Sequence, residues 1–175
     1  MRETVNETPI AGSLPAFYTP SIEQTDDTNK MKTDHQLITI ETSKPFELFD
    51  LTEQLRDVIR QSGITNGIAL ISSQHTTTAL TVNEFETRLL DDIEIFFKRL
   101  APPEARYLHN DLHLRDCPPD EPENAHAHLI AMMLGNSESL AVVDGASQLG
   151  AYQSLIMAEL DGPRTRKVSI QVIGG

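Results

Sequence analysis

A single cysteine, Cys117, stands in this 175-residue chain, so no intrachain disulfide can form. Nothing near it completes a Cys-based zinc pattern, and it reads as a free thiol in a reducing compartment. No apolar run reaches membrane-spanning length, and the N-terminus has no signal-like apolar stretch and no Arg-rich presequence. The expectation is a cytoplasmic protein with no membrane partner. Basic residues are scarce: 14 Lys and Arg against 26 Asp and Glu give a formal net charge of -12. Such a surface repels nucleic-acid backbones and leaves only a local basic patch to take an anion. Also missing are HExxH, GxSxG, the Walker loop and GxGxxG, so no single stretch announces a helix-borne protease, a nucleophile elbow or a nucleotide loop. No internal repeat is present.

What is there suffices for one domain with a sizeable core. Hydrophobic residues make up 39% of the chain, below the usual globular share, so part of it lies outside the core. That part is the beginning. Residues 1–34 mix Thr, Pro, Ser, Asn and acids without periodicity, and they bury too little to offset ordering entropy. The division is a disordered tail, residues 1–31, and a domain, residues 32–175. A strand is expected over Gln36 to Thr42. A helix follows that is N-capped by Asp50 with Glu53 three residues on, carries Leu51, Leu55, Val58 and Ile59 on one face, and closes at Gly63. Asn66 to Ser72 and Ala79 to Asn83 read as a pair of strands. Glu86 to Leu100 is a second amphipathic helix, stopped by Pro102-Pro103.

A long polar connection, Pro102 to Glu123, precedes a short helix, Ala125 to Leu134, with Asn124 as its N-cap. Strands are expected at Ser139 to Val143, at Leu149 to Leu160 with a bulge at Gly150, and at Lys167 to Ile173. Hairpins outnumber crossovers, so the fold class is α+β: one compact domain of mostly antiparallel sheets with flanking helices.

The chemistry gathers on six histidines. His75 lies in the polar turn between the two paired strands, and Glu84 follows the second of them. A histidine and a carboxylate at adjacent strand ends can share a pocket. His109 and His113 lie in the long connection, and His126 and His128 on the short helix. His35 borders the tail and reads as solvated. Zinc and similar ions take neutral imidazole nitrogens, with three protein ligands and water in a catalytic site. Such ligands need an acceptor on the other ring nitrogen, and Glu84, Asp111 and Glu121 are available. Two residues apart on a helix means about 200° of rotation, so only one of His126 and His128 faces a given site, and periodicity leaves the choice open. The alternative is three unrelated polar turns. Arg164 and Arg166, beside Asp161-Gly162-Pro163, would suit a phosphate or else flank a tight hairpin as solvated arginines.

Taken together, SSQHTTTALTVNE, YLHNDLHLRD, NAHAHLIAMMLGNS, LGAYQ and ELDGPRTRKVSIQV resemble the YjbQ family, often called secondary thiamine-phosphate synthase enzymes. The resemblance runs from about Lys32 to the C-terminus. It implies a homotrimer and a metal cluster mapping onto His75, His109 and His128, with zinc the expected divalent ion. His126 should then point away from His128, and His113 should line the pocket. The family's Gly-Thr-Trp-Gln motif appears as Gly150-Ala151-Tyr152-Gln153, which puts any role specific to the tryptophan in doubt. The implied reaction joins a hydroxymethylpyrimidine diphosphate to a thiazole phosphate, giving thiamine phosphate and pyrophosphate. Metal would neutralise the leaving diphosphate, Glu84 or Asp111 would orient a ligand or move a proton, and Arg164 would hold the anion. Two other readings stand beside it: a metal-dependent hydrolase of a small phosphorylated substrate, and a non-catalytic trimeric binding module.

Overall fold

A computed structural model describes residues 30–175; apart from Lys30 and Met31, the expected tail lies outside the described residues. The elements run β1 (Lys32–Glu41), β2 (Glu47–Asp50), α1 (Thr52–Ser62), β3 (Gly67–Ser73), β4 (Thr78–Asn83), α2 (Thr87–Leu100), α3 (Ala125–Leu134), β5 (Ser137–Val143), β6 (Ala146–Ser147), β7 (Ser154–Glu159) and β8 (Thr165–Gly174). Two short 3-10 turns, Leu108–Asn110 and Leu112–Leu114, interrupt the long connection before α3. One sheet has the order β1-β8-β3-β5-β6 and the other β2-β7-β4. Every strand pairing is antiparallel, as expected for an α+β domain.

The smaller sheet is the middle layer. Side chains alternate across a strand, so β7 can feed two cores at once. Leu155 and Met157 join α1 and the inner face of the larger sheet, among them Leu55, Ile59, Ile71, Val168 and Ile170. Ala158 and Leu160 join Phe97 of α2 and Ile130 of α3 on the other side. Full burial of each large aliphatic side chain contributes about 1.5–3 kcal/mol, which makes this double packing the chief reason the layers hold together. The alternation then places a charge. On β8 the inward row is Arg166, Val168, Ile170 and Val172, and on β7 it is Leu155, Met157 and Glu159, all buried. Arg166 and Glu159 therefore meet at one end of the first core.

Four sequence expectations change. The strands β3 and β4 do not pair: β3 lies between β8 and β5, while β4 pairs with β7. The turn between them carries the chain from one sheet to the other, tied by a hydrogen bond between the Ser73 and Thr78 hydroxyls. The segment from Leu149 begins as a turn and becomes a strand only at Ser154, so Gly150 sits in the turn rather than in a bulge. The α1 N-cap position is Leu51, and Asp50 acts one residue earlier by accepting the Thr52 N–H at 2.8 Å. At α3 the Asn124 side chain does not cap its own helix. Gly63 closes α1 as expected, with φ +64. Among the described residues no helix is long and apolar enough to cross a membrane.

Candidate functional site

His75 is held by strand geometry. Gln74 donates its N–H to the Lys167 carbonyl at 3.1 Å, and the Lys167 N–H in turn donates to His75 Nε2 at 2.8 Å. The ring thus replaces a main-chain carbonyl at the end of the β3–β8 ladder. A neutral imidazole that accepts at Nε2 carries its proton on Nδ1. Burial lowers the His75 pKa, and the charges of Arg166, Lys167 and Arg164 lower it further, against an opposing pull from Glu159.

His128 on α3 faces His109 from the first 3-10 turn, with ring centroids 4.9 Å apart at 73°. Burial lowers the His128 pKa, helped by His109, while Asp161, the Thr76 backbone and Glu121 oppose it. The neutral form of His128 is therefore favoured. His109 Nε2 is buried without a hydrogen-bond partner among the described residues. A buried nitrogen lone pair or N–H left bare costs about 1–3 kcal/mol, so it points to an absent ligand or water.

Side-chain amides fasten these pieces to one another. Asn110, beside His109, accepts the Ala125 N–H at 3.1 Å and so caps α3 from the loop. Asn124 donates instead to Asp161 Oδ2 at 2.8 Å. The His109 loop, the His128 helix and the Asp161–Arg164 turn are thereby linked in series. Gly162 is required in that turn, because a Cβ there would come within 2.3 Å of the Lys44 carbonyl oxygen.

His75, Thr76 and His128 form a wall shared by two hollows. One, about 330 Å³, is also lined by Thr77, Glu121, Asp161, Arg164 and Arg166. The other, about 280 Å³, is closed by Met132, Gly135 and Asn136. A larger hollow of about 440 Å³ lies between residues 44–48 and α2, away from any histidine. The charges on its wall include the Glu94–Lys98 pair at 2.6 Å, and it offers no convergent chemistry, so the candidate site is placed at His75 and His128.

Arg166 is buried rather than solvated, and Arg164 is half-exposed but tied to its own turn. Arg166, 4% exposed, donates from Nε and Nη2 to both oxygens of Glu159, at 2.6 and 2.5 Å, and from Nη2 to Thr77 Oγ1 at 3.0 Å. Glu159, 0% exposed, also accepts from Thr42 Oγ1 at 3.0 Å and from the Asp161 N–H at 2.8 Å. Burial works to raise the Glu159 pKa, but the Arg166 hydrogen bonds and charge, the Asp161 N–H and the Thr42 hydroxyl outweigh it and hold the carboxyl below its usual range. Arg164 donates from Nε to the Asp161 carbonyl at 2.8 Å and from Nη2 to Asp161 Oδ2 at 3.0 Å.

Other candidates lie elsewhere. Glu84 stands past the far end of β4, about 20 Å of extended chain from Thr78, and lines a separate hollow with Arg56 and Tyr152. Within one chain it does not share a pocket with His75, because β4 leads away from the turn. Asp111 accepts from Arg106 at 2.7 Å instead of holding a histidine. His113 is exposed on the second 3-10 turn and lines none of these hollows. His126 turns to a cavity of about 70 Å³ with Phe46, Phe97 and Leu160, its Nδ1 buried without a partner among the described residues. His35 pairs with the Ser169 hydroxyl at 2.9 Å on the outer sheet face.

For a metal ion the donors fit in part. The bare Nε2 of His109 and the neutral ring of His128 are suitable, whereas His75 has committed its Nε2 lone pair to the Lys167 N–H and carries its proton on Nδ1, so it has no lone pair free for an ion in this arrangement. Among the described residues no three His, Cys, Asp or Glu side chains form a group able to hold an ion.

Sequence reasoning missed Glu159, Thr77 and Asn110. Only Glu159 left a signal: it is an acid in phase with Leu155 and Met157 on an otherwise buried strand.

A family profile described as UPF0047 protein YjbQ-like matches residues 36–175. A UPF0047 protein of Methanothermobacter thermautotrophicus is 40% identical over 139 residues, covering 79% of this chain and 91% of that protein. The UPF0047 protein YugU of Bacillus subtilis is 32% identical over 136 residues, covering 77% and 96%. The crystal structure of a YbjQ-like protein of unknown function from Sulfolobus solfataricus is similar with a TM-score of 0.75 at 36% identity, covering 83% of this chain and 99% of that one. A hypothetical protein from Aeropyrum pernix gives 0.74 at 33%, covering 81% and 99%.

Proposed function

The chain belongs to the UPF0047 family of YjbQ-like proteins, and from that premise we propose a metal-assisted enzyme acting on a small phosphorylated molecule. One observation carries this reading: the unpartnered His109 nitrogen stands against the His128 ring, and His128 lines a hollow that two arginines also line. His109 and His128 would hold a divalent ion, zinc by donor chemistry, with His75 as a third donor through Nε2 once it releases the Lys167 N–H. Bound there, the ion would neutralise charge developing on a leaving phosphoryl oxygen. Arg164 and Arg166 orient the anion. His75, kept neutral with its proton on Nδ1, can donate to a substrate oxygen. Asp111 acts through Arg106 on the His109 loop rather than on a ring.

The finer reading is thiamine-phosphate synthase activity, joining hydroxymethylpyrimidine diphosphate to thiazole phosphate. It follows from the family resemblance, as does the homotrimer. The test is elemental analysis of the purified protein, followed by product identification with the two substrates together and each alone. Thiamine phosphate and pyrophosphate from the pair support the synthase. Phosphate release from one substrate alone supports the hydrolase. Absence of both metal and turnover would sink the enzymatic reading and favour the binding module.

A further inference from the structure

The connection from β7 to β8 carries two nested ion pairs, Glu159–Arg166 and Asp161–Arg164. They share a construction. Each arginine spends Nε and Nη2 on its partner residue, and Arg166 adds Thr77. Among the described residues neither Nη1 has a hydrogen-bond partner, and both side chains line the same hollow. For Arg166, only 4% exposed, that leaves the two N–H donors of Nη1 unengaged on a side chain that lines the hollow. Glu159 sits behind it, fully buried, so the pair stands as a dipole with its positive end toward the cavity. Both arginines are held in place by their acid partners, Arg166 buried and Arg164 half-exposed, which lowers the ordering cost that a flexible cation pays on binding.

The geometry points to a two-arginine cradle for a phosphoryl anion, with Glu159 and Asp161 as positioning residues that fix the forks. This inference rests on the phosphorylated-substrate reading above and adds the part of the site that takes the anion. Arg164 ends the turn and Arg166 stands two residues on in β8, within about 7 Å of chain, and both line the hollow, so two guanidinium groups can take one phosphoryl group between them or span a diphosphate. The acids on the same wall do not defeat this. Asp161 is engaged by Arg164 and Asn124, and Glu121 faces Arg115 at 3.5 Å.

The experiment is titration calorimetry of inorganic pyrophosphate into the full chain after metal removal with a chelator. Metal content is measured separately, so that failure of the metal site and failure of the cradle read differently. Saturable binding is expected, and Arg164→Ala, on a half-exposed side chain, should weaken it about tenfold or more. Arg166→Lys should do the same, because an ammonium cannot hold Glu159 and present a second edge together. Asp161→Ala separates positioning from charge. Deleting an acid beside an anion strengthens binding by Coulomb's law alone, whereas loss of positioning weakens it, and weakening by several-fold is expected. A thermal melt of each variant checks the fold, and Arg164→Ala decides the matter if Arg166→Lys does not fold. No pyrophosphate binding by the metal-free chain, unchanged affinity in Arg164→Ala, or tighter binding in Asp161→Ala would each overturn the cradle.

Discussion

Glu159 accepts four hydrogen bonds in a site with no solvent, two of them from Arg166. Removing one partner of a buried ion pair costs about 3–5 kcal/mol, because the other charge is left uncompensated. Glu159→Gln is therefore expected to lower stability by about that much in chemical denaturation. The sign of its pH dependence follows. The folded state holds this carboxyl below the ordinary value of 4.5, so it binds fewer protons than the unfolded state around that pH. Its stabilisation is complete above that value and is lost as pH falls through the folded pKa. Between pH 6 and 3 the melting midpoint should fall more steeply for the native chain than for Glu159→Gln; equal slopes would contradict the assignment. Histidine replacements read the other wall. His109→Ala and His128→Ala should remove most bound metal, as should His75→Ala, while His126→Ala leaves it in place. If the His126 variant loses metal and the His128 variant keeps it, the wrong ring has been assigned. At this scale the sequence was legible where residue type limits chemistry, as with the histidines and Arg164. It was not legible for Glu84, since strand direction decides its neighbours, nor for Asn110, whose partner is 15 residues away.

The α3 helix is fastened by a loop residue rather than by its own N-cap. Asn110 accepts the Ala125 N–H, and loss of a side-chain cap costs about 0.5–2 kcal/mol. Asn110→Ala is expected to destabilise by that amount. It should also loosen the His109–His128 contact, so metal affinity should fall although no ligand is changed. Asn124→Ala should spare the cap and act on Asp161 instead. Amide-exchange protection at Ala125 is the check: it should drop in the first variant and persist in the second. The helices α1 and α2 were readable because their apolar positions repeat with a helical period, and α3 because Asn124 and Gly135 bracket a short apolar run. Strand membership was not. The apolar runs in β3 and β4 are short and adjacent, and short connections between strands suggest a hairpin. Periodicity states which face of a strand is buried and is silent on which sheet the strand joins. Four-residue β2 carries too little pattern to be seen at all.

At the scale of the molecule, two features pull against each other. The outer face of the five-stranded sheet exposes Leu37, Ile68, Leu70 and Val143, each more than 40% accessible, and among the described residues no helix covers it. An antiparallel sheet can face water on one side, but alternation should then turn polar residues outward, and here β3 turns Ile68 and Leu70. Contact between copies would remove that surface from water. The formal charge of -12 on every chain opposes such contact. Which effect wins depends on salt, since the screening length is about 8 Å at physiological ionic strength and about 30 Å at 0.01 M. The chain's acidity was legible from composition, because it is a sum over residues. Assembly is not a sum and rests on the family resemblance. A homotrimer of the 19.4 kDa chain has a mass of about 58 kDa, and static light scattering at micromolar concentration in 0.15 M salt is expected to give that value. Lowering the salt to about 0.01 M should shift the population toward smaller species, because the repulsion then reaches across the whole interface. A mass of one chain at both salt concentrations would refute the trimer, and the exposed aliphatic row would then have to be accommodated by a solvated sheet face.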